Sequence, residues 1–150
     1  MQGYDITSVE MSAIVHATED IEKVRKAMEN VVGSEDCGFL HFSRQRLKGH
    51  HGNPIMTLRA TLTDSEMCRR LVGRIFKTLQ RMDQAALSKS LPDRFREDGS
   101  LYLRLDKQAA FLGSLKLKDE DSIRIRARFV FPHLSEDCLR DICTELGLQC

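Results

Sequence analysis

The chain has 150 residues, 41% hydrophobic and 30% charged, with a formal net charge of +1. That length supports one domain with a real core, and the composition is that of a soluble globular protein rather than a disordered or fibrous one. No apolar run is long enough to span a bilayer and the N-terminus lacks a signal peptide's basic and apolar regions, so the expectation is a cytoplasmic protein without a membrane role.

Ile6 to Val15 alternates, with Val9, Met11, Ala13 and Val15 on one face, and reads as a strand. Thr18 is the expected cap of a helix whose first turn holds Glu19, Asp20 and Glu22, whose stripe is Ile21, Val24, Met28, Val31 and Val32, and whose stop is Gly33. Phe39 to Leu47 and Ile55 to Leu62 form a hairpin around the glycine- and proline-marked loop 48–54. The second of these strands turns Met56, Leu58, Ala60 and Leu62 to one face.

The capping box Thr63-Asp64-Ser65-Glu66 opens a helix running to about Met82, with Leu71, Ile75, Leu79 and Met82 as its core stripe. A shorter helical stretch over 85–91 is closed by Pro92, and Asp98-Gly99 signals a hairpin between 94–97 and 100–105. A turn or short helix over 107–112 ends at Gly113, a small strand follows at 115–117, and an arginine-rich strand covers 122–131. Ser135 caps a last helix with Leu139, Ile142, Cys143 and Leu146 inward and Gly147 at its end. Hairpins with helices between them predict an α+β fold: a single mainly antiparallel sheet with helices on one face, in one domain spanning 1–150.

Five cysteines at irregular spacings, with no CxxC pair, favour reduced and mostly buried thiols over a disulfide framework or a zinc site. The small net charge conceals an asymmetry. Residues 1–37 carry three basic and eight acidic side chains, residues 132–150 one and four, and residues 38–131 carry 19 and 10. A middle of net +9 between ends of −5 and −3 is the pattern of a one-sided polyanion binder, or of a protein whose charges pair across its elements.

Three basic regions fall in that middle. On the last strand Arg124, Arg126 and Arg128 share one face, opposite Ile123, Ile125, Ala127 and Phe129. Like charges at every second residue repel, so either carboxylates on neighbouring strands neutralise them or an anion does, and the guanidinium fork suits phosphate. Arg70, Arg74, Lys77 and Arg81 recur at helical spacing opposite the core stripe. A solvated charged face is the plain reading of that stripe; its single sign, which costs a few tenths of a kcal/mol per pair, favours an anion-binding one. The hairpin adds Arg44, Arg46, Lys48 and His50, with Asn53 in a loop whose glycines let backbone donors approach a phosphate. His50 and His51 lack a carboxylate at ligand spacing and read as surface residues rather than a metal site or catalytic pair.

In 101–105, Leu101, Leu103 and Leu105 face one way while Tyr102 and Arg104 face the other as a stacking and phosphate-contact pair, a surface that Lys107 and Gln108 extend. Alternatively Asp106 caps the next turn and pairs with Lys107.

That segment, Leu101 to Ala110, together with His16-Ala17-Thr18-Glu19-Asp20, Gly49-His50-His51-Gly52-Asn53-Pro54-Ile55 and Asp121-Ser122-Ile123-Arg124-Ile125-Arg126, resembles an archaeal family of small conserved RNA-binding proteins associated with the exosome. The resemblance runs from about residue 9 to residue 131. It implies an α+β fold similar to the ribosomal protein that contacts 5S RNA, makes a homodimer plausible, and carries over no catalytic residues.

The leading expectation is a non-catalytic protein that contacts structured RNA through its phosphates and sugar hydroxyls, without cofactor or metal. With no tryptophan and few aromatic residues, extensive base stacking is disfavoured. The alternatives are a protein-interaction subunit, of the exosome or another complex, and a phosphoesterase using His50, His51 and Asp106 or Glu66.

Overall fold

The computed structural model describes residues 3–48, 54–131 and 135–149. Strands β1 (Asp5–Val15), β2 (His41–Lys48), β3 (Pro54–Leu62), β4 (Ser100–Asp106) and β5 (Ser122–Val130) form one antiparallel sheet in the order β2-β3-β1-β5-β4. The helices are α1 (Ile21–Val32), α2 (Ser65–Thr78), α3 (Arg81–Arg94), α4 (Lys107–Phe111) and α5 (Glu136–Leu146).

Period-two alternation decides which face of the sheet the helices cover. Val9, Met11 and Ala13, Leu58 and Ala60, Leu101 and Leu103, and Ile123, Ile125 and Phe129 are buried in one core with Met28 and Val31 of α1, Leu71, Ile75 and Phe76 of α2, and Ile142 of α5. Each such large aliphatic side chain contributes about 1.5–3 kcal/mol by leaving water. The opposite face carries the mostly polar alternate residues of β1, β3, β4 and β5 and stays open. This is the expected α+β arrangement, and among the described residues no helix is long and apolar enough to cross a membrane.

Several boundaries move. Asp20 rather than Thr18 caps α1, its carboxylate accepting from the Glu22 amide at 2.9 Å, and Asp64 rather than Thr63 caps α2 by accepting from Met67 at 3.0 Å. Ser135 caps α5 as expected, its hydroxyl accepting from Cys138 at 3.1 Å. The helix expected to reach Met82 breaks earlier: Leu79 stays buried but adopts ψ 140°, and α3 begins at Arg81. Met82 is therefore not core but 85% exposed.

Pro92 does not close the preceding helix; it lies inside α3. Its ring removes the donor that the Ser88 carbonyl would receive, and Arg140 of α5 supplies one at 3.0 Å. Residues 94–97 and 115–117 are not strands but single bridges, Phe95 to Leu101 and Leu117 to Leu105.

Two glycines are positional. Gly99 has φ +92°, and a Cβ there would run into the Phe129 carbonyl oxygen. Gly73 lets α2 approach α5, a Cβ meeting the Leu146 carbonyl oxygen at 3.2 Å. Cys68 and Cys143 are buried free thiols, pushed up by burial to about 11 and about 12, while Cys37 and Cys138 are half-buried and free.

Candidate nucleic-acid interface

Directly opposed residues of an antiparallel pair point to the same side, so strand register assembles rows across the open face. One row runs Ser43, Arg59, Ser12, Arg124, Arg104 from β2 to β4. Beside it runs a second: His41, Thr61, Glu10, Arg126, Tyr102. Arg128 follows, opposite Ser8 and Ser100. With strands about 4.8 Å apart, Arg59, Arg124 and Arg104 stand within about 15 Å of one another, a short cationic rail across the sheet.

The rail is partly neutralised. Arg126 donates through Nη2 to Asp98 at 3.1 Å and through Nε to Ser100 Oγ at 2.9 Å, and Arg59 meets Glu10 at 3.1 Å in an exposed pair. Hydrogen bonds from Ser100, with the Arg126 and Arg128 charges behind them, hold Asp98 below the usual carboxylate range. Arg104 donates to the Asp119 carbonyl at 3.0 Å. The side chains of Arg124 and Arg128 are exposed and have no hydrogen bond or ion pair with any described residue. Tyr102, 37% exposed, has the Arg96 and Arg126 guanidinium carbons 5.7 and 6.0 Å from its ring centroid.

The helical stripe lies in the helix layer, away from this face. Arg70 holds Asp36 with two donors, at 2.9 and 3.1 Å, and that hydrogen bonding pulls the Asp36 carboxyl down. Arg74 donates to the Val31 carbonyl at 3.2 Å and to Asn30 at 3.4 Å, capping α1, whose last turn has no basic residue of its own. The Lys77 stem lies beside Gly147 at the end of α5. Arg81 leaves the stripe altogether, because it begins α3. Within α2, Arg70 and Arg74 thus have partners in the chain itself, an aspartate and the end of α1.

Other candidates scatter. Arg44 and Arg46 sit opposite Leu58 and Met56, so the pleat turns them and Lys48 to the helix side of edge strand β2, where they are exposed. Gln108 is exposed in the first turn of α4, beside a groove formed with α1. Lys107 is only 5% exposed, and its ammonium donates to the Ile14 carbonyl at 2.8 Å and reaches Glu19 at 2.9 Å and Asp121 at 2.8 Å. It is a structural cation rather than a surface contact. His50 and Asn53 lie outside the described residues.

The carboxylates considered for catalysis have other placements. Asp106 caps α4, accepting from Gln108 at 3.0 Å, and Glu66 stands in the first turn of α2. His16, Glu19 and Asp121 bring ligand-type atoms within 4.8 Å of one another, but Lys107 supplies the positive charge at their centre. Hydrogen bonds from Lys107 and then His16 hold Asp121 below the ordinary carboxylate range.

Two arginines of the open face escaped the sequence reading, Arg59 and Arg96. For Arg59 the signal was present: with Leu58 and Ala60 inward, residue 59 had to face outward. Arg96 stands before the Asp98-Gly99 turn in a segment without strand periodicity.

A family model described as RNA binding matches residues 8–129. The RNA-binding protein PAB1135 of Pyrococcus abyssi is 30% identical, with 90% of each chain covered. The uncharacterised protein MJ0213 of Methanocaldococcus jannaschii is 34% identical over 95% of this chain and 99% of its own. Protein AF2318 of Archaeoglobus fulgidus superposes with a TM-score of 0.78 at 31% identity, covering 94% of this chain and 99% of that one. Mth689, a DUF54 protein of Methanothermobacter thermautotrophicus, gives a TM-score of 0.75 at 28% identity over 97% and 99%. The arginines of the cationic rail, Arg59, Arg104 and Arg124, lie within the matched span, and the chain belongs to this RNA-binding family.

Proposed function

We propose that the chain is a non-catalytic RNA-binding protein that engages structured RNA with the open face of its sheet, chiefly through phosphates. The observation that carries this reading is the row Arg59, Arg124, Arg104, in which Arg124 stands exposed and unpaired among the described residues while flanked by other arginines. Guanidinium forks at strand spacing present bidentate donors to successive phosphate oxygens, and Arg126, Arg128 and Tyr102 widen the surface. The family to which the chain belongs, and the relative from Pyrococcus abyssi named for RNA binding, support the same reading. We place its work in the cytoplasm.

The test is affinity for a structured RNA across a salt series. Four or five phosphate contacts give a slope of log affinity against log salt of about −3 to −4, and Arg124→Glu weakens binding to unrelated sequences alike. Binding that ignores salt, or none at low salt, overturns the proposal.

A second reading draws on the edge strand β2, exposed along most of its length and with one side unpaired in the sheet. There the chain docks on a protein, an exosome subunit or a second copy. A partner retained after nuclease treatment of a pull-down supports that reading; loss of every partner with the RNA supports the first.

A further inference from the structure

The open face is not uniform. Beside the end of β1 a cavity of about 400 Å³ is lined by Ile14 and Leu47, by Arg59 and Arg124, and by Asp119 and Asp121 from the turn before β5. Its size falls at the lower end of the usual range for small-ligand sites, about 300–1,000 Å³, which suits one nucleoside and is too small for a duplex.

The lining is mixed in a way that a phosphate site alone does not explain. Ile14 is 39% exposed and Leu47 42%, two apolar side chains in one cavity beside Arg59 and Arg124. They offer a floor for the flat apolar surface of a base. Arg124 offers an unpaired cation for the phosphate attached to it. Asp119 and Asp121 repel phosphate, so a ligand that fills the cavity must bring N–H or O–H donors to that rim.

Asp121 is already occupied by Lys107 at 2.8 Å and His16 at 3.0 Å, and it holds the turn at φ 47°. The side chain of Asp119 has no hydrogen bond with any described residue, while its backbone carbonyl is fixed by Arg104 at 3.0 Å. A free carboxylate is thereby carried on a braced turn. Its two oxygens match two adjacent donors. Among the bases only guanine presents two adjacent donor groups, N1–H and the N2 amino group, on its Watson–Crick edge; each of the others presents a single donor group there.

We infer that this cavity takes one unpaired guanosine of the bound RNA, its base over Ile14 and Leu47, its phosphate at Arg124 and its Watson–Crick edge at Asp119. The inference rests on RNA binding by the open face and adds to it a point of base selection.

The experiment compares one RNA hairpin that is fully paired with versions carrying a single bulged G, A, C or U, by fluorescence anisotropy at fixed salt. The bulged G binds about tenfold tighter than the paired hairpin. In Asp119→Ala, a change at an exposed turn, the preference for G over A falls to within about twofold, whereas affinity for the paired hairpin does not fall. Leu47→Ser lowers every bulged RNA toward the paired level. Equal binding of all five RNAs by the wild type, or a G preference that survives Asp119→Ala, overturns the inference while RNA binding stands. No binding of any of the five at low salt overturns both.

Discussion

Arg104 and Arg124 stand directly opposite one another on β4 and β5, two like charges on the solvent face of one antiparallel pair. Cross-strand pairs of like charge destabilise a sheet. Arg104 relieves itself on the Asp119 carbonyl, but Arg124 finds no partner among the described residues. The natural counter-charge is an anion from outside the chain.

Replacing the unpaired member separates stability from binding. Arg124→Gln raises the free energy of unfolding by about 0.5 kcal/mol, since it removes the repulsion with Arg104. The same change reduces the magnitude of the RNA salt slope by about 1. Urea unfolding and a salt titration of the one variant check both outcomes.

Arg74 behaves in the opposite way. It donates to the last carbonyls of α1, so Arg74→Ala costs about 1 kcal/mol of stability by leaving that helix end uncapped. RNA affinity, measured well below the melting temperature, stays within about twofold of wild type, because the residue lies outside the open face.

Lys107 is the most buried cation described and bridges residues far apart in the chain. Lys107→Met leaves Glu19 and Asp121 without it and removes the donor to the Ile14 carbonyl. Chemical denaturation should show a loss of about 2 kcal/mol, tempered by the partial exposure of both carboxylates.

Acid sensitivity follows from the same network. Asp36, Asp98 and Asp121 all have carboxyl pKa values lowered by folding, through Arg70, Ser100 and Lys107 respectively. Their contribution is therefore complete above the unfolded carboxylate value and lost as pH falls from about 4 through each folded value. Asp121→Asn lowers stability at neutral pH and flattens the decline below pH of about 4, which melting curves from pH 3 to 7 resolve.

How much of this was legible depends on whether the cause was local. The alternation at 123–129 placed three arginines on the open face correctly, because strand geometry alone settles it. The stripe Arg70, Arg74, Lys77 was seen, but its neighbours were not, since Val31, Asp36 and Gly147 approach α2 only through tertiary packing. Arg81 and Met82 were misplaced because apolar spacing continues through Leu79 while the backbone turns there. Pro92 looked like a stop, and the donor that lets α3 continue past it comes from Arg140, in another helix. Lys107 offered two local readings, cap partner or surface contact; Asp106 does cap α4, but the Lys107 ammonium pairs instead with Glu19, which follows β1, and with Asp121.

The most direct measurement is a map of backbone amide shifts on adding a structured RNA at low salt. The account predicts that the largest shifts fall on Ser12, Arg59, Tyr102, Arg104 and Arg124, across four strands of the open face. Largest shifts on Arg70, Arg74 and Lys77 of α2, with the open face unmoved, would contradict it.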